Sequence, residues 1–275
     1  MLNPQILFED DFLVAIEKPS GVVVNNAESV DGETIEDWIR ARGEVGGLKL
    51  DVRRKKFDVR SEKNLFWERA GIVHRLDKDT SGILLIAKNE AVFEKMTLMF
   101  KERKIHKKYL ALVHGETENA GMLNFKIARH DKKGKFIVTG GVGGIDDVGG
   151  KDALTEYKLI SRFCFNEESL NDFLRKNFDR LKEKYNLKNY SLVEIVLHTG
   201  RTHQIRVHFS HIHHPVAGDK LYGWRKTVKF EKLWCQRQFL HAAEISFVHP
   251  VTEKEIRLRS ELPKDLSEIL NKYLT

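Results

Sequence analysis

The chain has 275 residues, 41% hydrophobic and 32% charged, with a formal net charge of +7 and a pI of about 9.2. That balance excludes a disordered or fibrous chain, and no apolar run approaches the roughly 20 residues that a helix needs to cross a bilayer. The positive excess suits a polyanionic partner, because Lys and Arg that displace condensed counterions gain entropy on binding. The opening segment MLNPQILFEDDFLVAIEKPSG is acidic early and lacks the basic-then-apolar layout of a signal peptide, so the protein reads as cytoplasmic. Cys164 and Cys235 lie far apart and form no paired Cys-x-x-Cys motif, which predicts two buried or idle thiols.

In chain order, Leu7, Phe8, Phe12, Leu13, Val14 and Ile16 alternate as strands do and lead through the turn Lys18-Pro19-Ser20-Gly21 to Val22-Val23-Val24. Thr34 opens a short helix carrying Ile35, Trp38 and Ile39. Residues 43–68 change character, with glycines and the basic patch Arg53-Arg54-Lys55-Lys56, and read as a loop or insertion. Residues 72–76 and 82–87 are apolar enough for buried strands flanking the polar turn Asp77-Lys78-Asp79-Thr80-Ser81. Asn89 caps a helix whose Val92, Phe93, Met96, Met99 and Phe100 recur at helical spacing. Lys107 to Val113 returns to a strand, and the tract 140–150 is a glycine-rich loop without the Lys-Ser/Thr ending of a phosphate-binding loop.

Residues 166–185 read as a helix, apolar on one face and basic elsewhere. A strand from Leu192 to Leu197, a His/Arg-rich stretch at 199–214 and a turn from Pro215 to Tyr222 follow. Two strands near 240–258 and a terminal helix from Pro263 complete the chain. Many strands with few helices predict a mixed α+β fold, a largely antiparallel central sheet with flanking helices.

Two segments carry the chemistry. In Gly71 to Gly82, GIVHRLDKDTSG, a polar loop between apolar stretches presents one arginine, two aspartates and two hydroxyls. Burial raises the pKa of an aspartate there, so an anionic nucleophile needs a cation close by. Gly200 to His208, GRTHQIRVH, offers one: read as a strand, it puts 202, 204, 206 and 208 on one face, with Arg206 beside Gln204 and His208. Tyr109, in KKYLALV, is by itself equally a core aromatic.

GIVHRLDKDTSGILLIAKN resembles the central motif of the RluA-like pseudouridine synthases, GRTHQIRVHFSHIHHPVAGDKLYG their second long motif and KKYLALVHG their tyrosine motif, in the family's order. EKPSGVVV and FLHAAEISFVHPVT are similar to its flanking segments. The resemblance spans roughly residues 7–270. It implies one catalytic domain over 1–275 with insertions near 43–68 and 166–188 and without the small N-terminal RNA-binding domain of many relatives. It also implies Asp77 as nucleophile, Arg206 as its ion-pair partner, and Tyr109 as the residue against the flipped uracil and the candidate for proton handling at C5. Arg75 resembles the arginine that enters the RNA stack as the base leaves, and His74 and Arg201 are expected to contact RNA with it. The implied partner is ribosomal or transfer RNA, with no cofactor, no metal, no membrane and no obligate protein partner. Attack on the sugar, attack on the base and a sugar elimination all remain open to the carboxylate.

Other readings of these residues are weaker. Asp77-Lys78-Asp79-Thr80 is faintly like a phosphorylated-aspartate loop, but no βαβ series hosts the magnesium-binding acids such an enzyme needs. His203, His208, His211, His213 and His214 cluster, but no cysteine or closely spaced carboxylate completes a metal set. An RNA-binding protein without catalysis would bind and not turn over.

Overall fold

The computed structural model describes residues 2–27, 31–42, 44–45, 48–49, 65–130, 134–140, 149–170, 172–185 and 187–275. The basic patch 53–56 and most of the glycine tract 140–150 lie outside them. In chain order the elements are β1 (Gln5–Glu9), β2 (Leu13–Lys18), α1 (Ile35–Arg42), β3 (Glu44–Val45), β4 (Leu48–Lys49), α2 (Leu65–Glu68), β5 (Ser81–Ala87), α3 (Glu90–Lys101), β6 (His106–His114) and β7 (Ala120–Arg129). Then come β8 (Phe136–Thr139), β9 (Lys151–Cys164), α4 (Asp172–Leu181), β10 (Asn189–Leu197), α5 (Gln204–His211), α6 (Val228–Glu231), β11 (Leu240–Val248), β12 (Glu255–Arg259) and α7 (Lys264–Tyr273). The architecture is mixed α+β and divides into two compact units, Met1–His106 with Ala242–Ser260, and Lys107–His241 with Glu261–Thr275.

In the first unit the strand order is β1-β2-β5-β11, with β12 beside β11. β2 pairs antiparallel with β1 on one side and with β5 on the other, from Leu13 opposite Ala87 to Lys18 opposite Gly82. All seven residues of β5 are buried, as expected of an apolar run covered on both faces. Gly82 has φ +117, and a Cβ there would stand 2.3 Å from the Ala242 carbonyl oxygen, so only glycine admits this approach. Two helix starts behave as their sequences predict. The Asn89 side chain accepts from the Val92 amide, and Thr34 and Asp37 cap each other reciprocally.

One expected strand, residues 72–76, is absent from this unit. Val22 to Val24 is irregular, and its Val23 and Val24 carbonyls accept from the Ile35 and Glu36 amides at the start of α1. Residues 72–76 make only an isolated bridge, Ile72 to Ile86. The reason is local: Nε2 of His74 accepts from the Leu85 amide at 3.0 Å, occupying the donor that a continued ladder would use.

In the second unit the order is β6-β10-β9-β7-β8, with β10 antiparallel to both β6 and β9 and β7 antiparallel to both β8 and β9. The segment read as one helix over 166–185 is a 3-10 turn, Glu167–Ser169, followed by α4. Phe178 and Leu181 of α4 join Phe165, Phe230, Trp234 and Leu266 in an apolar cluster. Beside that cluster sits a buried polar contact, His114 Nε2 to Glu231 Oε1 at 3.2 Å. Burial alone would raise the Glu231 pKa, but the His114 charge and hydrogen bond, the Thr227 hydroxyl and the Gly218 amide outweigh it and hold the carboxyl below its ordinary 4.5.

A carboxyl depressed in this way stabilises the fold at neutral pH, and that contribution is lost as pH falls through the lowered folded value. Denaturant unfolding between pH 7 and pH 3 should therefore show stability falling more steeply in the wild type than in Glu231→Gln. Equal slopes would mean that Glu231 carries none of the acid sensitivity.

Candidate active site

His74, Arg75 and Asp77 occupy one loop of the first unit, between the left-handed pair Ala70 and Gly71 and the start of β5. The Thr80 amide donates to the Asp77 carbonyl at 3.1 Å, closing the turn that presents the aspartate. Asp77 is half-buried and Arg75 exposed. The His74 ring lies tilted against Phe100 with centroids 4.9 Å apart and, as an acceptor at Nε2, carries its neutral-state proton on Nδ1.

Beneath this loop lies a residue that the sequence offers only as part of a turn. Lys18 is 0% exposed, and its ammonium donates to the carbonyls of Pro19 at 2.7 Å, Val22 at 2.9 Å and Lys78 at 3.0 Å. An ammonium removed from water is costly unless its N–H groups find acceptors, and these carbonyls supply them. One of the three carbonyls belongs to the residue after Asp77, so the cation ties the aspartate turn to the 18–22 segment.

Tyr109, Arg201 and Arg206 belong to the second unit. Tyr109 is buried on β6 opposite Ile195 of β10. Lys107, two residues earlier and therefore on the same strand face, has its ammonium pushed down to about 8 by burial. The stretch expected as a strand around Arg206 is instead the helix α5. Its residues Gln204 to Phe209 are buried on every side, which leaves no periodicity to distinguish helix from strand. Arg206 therefore does not share a strand face with Gln204 and His208. Gln204 instead locks the helix start: its Oε1 accepts from the Thr199 hydroxyl and the Arg201 amide, and its Nε2 donates to the Leu154 carbonyl and the Thr155 hydroxyl.

Arg206 forms a bidentate, buried ion pair with Asp219, Nε to Oδ2 at 2.7 Å and Nη2 to Oδ1 at 2.9 Å. The amides of Leu221 and Tyr222 also donate to Asp219 Oδ1, and the guanidinium carbon lies 5.1 Å from the Tyr222 ring centre. Such a fork fixes the guanidinium plane as well as its charge. Asp219 escaped the sequence reading because nothing marks its side chain as the partner. Arg201 is exposed, with Nε donating to the Asp152 carbonyl. Among the histidines, burial drives His208 down to about 4, against the ring of Phe125.

Lys18→Met should release the Asp77 turn. We expect a stability loss on the order of 3 kcal/mol from stranded buried carbonyls, and faster hydrogen exchange at the Thr80 amide. Unchanged exchange at Thr80 would show that the turn holds itself.

Residues 12–211 match the family model described as RNA pseudouridylate synthase. A ribosomal large subunit pseudouridine synthase D of Zymomonas mobilis is 32% identical over 275 residues, covering 98% of this chain and 72% of that protein. An uncharacterized RNA pseudouridine synthase of Bacillus subtilis is 32% identical over 271 residues, with the same coverage of each. Among solved structures, human RNA pseudouridylate synthase domain containing 1 aligns with a TM-score of 0.65 at 23% identity, over 98% of this chain and 88% of that one, a likeness of fold. Among the described residues, no helix is long and apolar enough to cross a membrane.

Proposed function

The chain belongs to the RNA pseudouridylate synthase family, and from that premise we propose that Asp77 is its catalytic carboxylate, acting with Arg206 and Tyr109 on a uridine lifted from its stack. The observation that carries this reading is the way the Asp77 turn is held by the buried Lys18 ammonium. A carboxylate used for covalent or electrostatic catalysis must be placed before the substrate arrives.

The reaction breaks the bond from N1 to C1′, turns the uracil and joins C5 to C1′. The C5 proton leaves and N1 gains one, so atoms balance and no electrons are exchanged. Asp77 forms or stabilises the intermediate while the base is detached. Arg206 is the proposed cationic partner of the catalytic carboxylate, its guanidinium plane set by Asp219. Tyr109 lies against the uracil and handles the C5 proton. Arg75, exposed in the same loop as Asp77, fills the vacated stack and offsets the few kcal/mol that flipping costs. His74, which also braces that loop through the Leu85 amide, and Arg201 contact the RNA with it.

The name of the Zymomonas relative supports large-subunit ribosomal RNA as the substrate, with transfer RNA the other structured RNA to test. The proposal places the enzyme in the cytoplasm, acting without an obligate protein partner, cofactor or metal.

Tritium release from RNA labelled at uracil C5 tests the assignment. Wild type should release tritium from unmodified large-subunit ribosomal RNA or transfer RNA. Asp77→Asn should release none while still binding the RNA. Release by Asp77→Asn at the wild-type rate would remove Asp77 from the chemistry.

A further inference from the structure

Backbone hydrogen bonds carry helical turns beyond α6 itself, from Thr227 bonded to Trp224 through to Cys235 bonded to Glu231. On the inner side of these turns Thr227, Phe230, Glu231, Trp234 and Cys235 are buried. Arg225, Lys229 and Lys232 follow at i, i+4 and i+7, so they form one stripe, and all three are exposed. Lys226 flanks the stripe and Lys220 precedes it, both also exposed.

The two carboxylates of the 219–232 segment are withdrawn from that surface. Asp219 is buried against Arg206, and Glu231 is buried against His114. The segment thus shows solvent five cations and no anion. Beside it, the half-buried rings of Tyr185 and Trp224 meet at 5.6 Å, and the Lys184 ammonium stands 5.9 Å from the Tyr185 ring centre. Around Lys184, by contrast, the charges are balanced: Lys182 pairs with Asp179 and Glu167, and Lys188 with Glu183.

We infer that this stripe, with Lys184 and the Tyr185–Trp224 pair at its edge, is a docking strip for the backbone of RNA outside the uridine being modified. The inference rests on the reading of RNA as the substrate. Side chains one helical turn apart stand about 5–6 Å apart at Cβ, a spacing on the scale of successive phosphates along one strand. Point charges in a row, with an aromatic pair beside them, suit backbone contact and stacking rather than base reading.

The test compares Arg225→Gln/Lys229→Gln/Lys232→Gln with a charge-matched control in the same unit, Lys158→Gln/Lys264→Gln/Lys272→Gln. The probe is an unmodified large-subunit ribosomal RNA transcript, with affinity measured across a salt series. Loss of three phosphate contacts should lower the slope of log affinity against log salt by about 2–3 and weaken binding at least tenfold at 0.1 M salt, while the control changes less than threefold. A second measurement needs no variant: Lys226, Lys229 and Lys232 of the wild type should be protected from acetylation when the transcript is bound. Equal effects of the two triple variants, or no protection, would overturn the docking strip. Because both readouts are of binding, a wild type that binds RNA and releases no tritium would count against the proposed catalysis and leave this inference standing.

Discussion

The ammonium of Lys18 has no exposed surface, and three backbone carbonyls replace the water it gave up. That substitution constrains more than the lysine. The carbonyls come from two distant stretches of chain, 19–22 and Lys78, so neither stretch can move without disturbing the bonds to a buried charge. A misplaced turn would cost the solvation of an ion, which is why a loop with little regular structure of its own can present Asp77 in one place. The loop is further held by its flanks, with Gly71 at φ +75 bonded through its carbonyl to Ala87, and with His74 capping the amide of Leu85.

The second unit solves the same problem with buried pairs. Arg206 is forked onto Asp219, and Glu231 is enclosed by His114, Thr227 and Gly218. Pairs of this kind contribute little net stability compared with apolar packing, but breaking one is expensive, so they fix geometry more than they add strength. They also have a consequence for the surface. Each carboxylate drawn inward is one anion fewer on the exposed face of the 219–232 segment. Five cations thereby stand exposed along Lys220 to Lys232.

Much of this is legible in the sequence, for identifiable reasons. Asn89 and Thr34 announce helix starts because a cap is a local interaction, complete within three residues. β5 is legible because seven consecutive buried residues leave an unbroken apolar run. The stretch 199–214 misleads because α5 is buried all round, and a helix without a polar face has no period to read. His203, in the left-handed region at φ 56 just before that helix, carries no mark in the sequence either. Residues 72–76 mislead because a histidine side chain replaces a strand in the hydrogen bonding of Leu85. Lys18, Asp219, His114 and Glu231 stay hidden because each gets its role from a partner at least thirteen residues away.

Asp77→Glu tests most directly whether the chemistry depends on where the Asp77 carboxylate is held, since it keeps the charge and moves it by one methylene. The measurement is the single-turnover rate of pseudouridine formation at saturating RNA, read by nucleoside analysis of the digested transcript. A displacement of that size should slow the step on the order of a hundredfold or more while RNA affinity stays near the wild-type value. A rate close to wild type would contradict the account, because a carboxylate that works equally well from a different position does not need the turn that Lys18 secures.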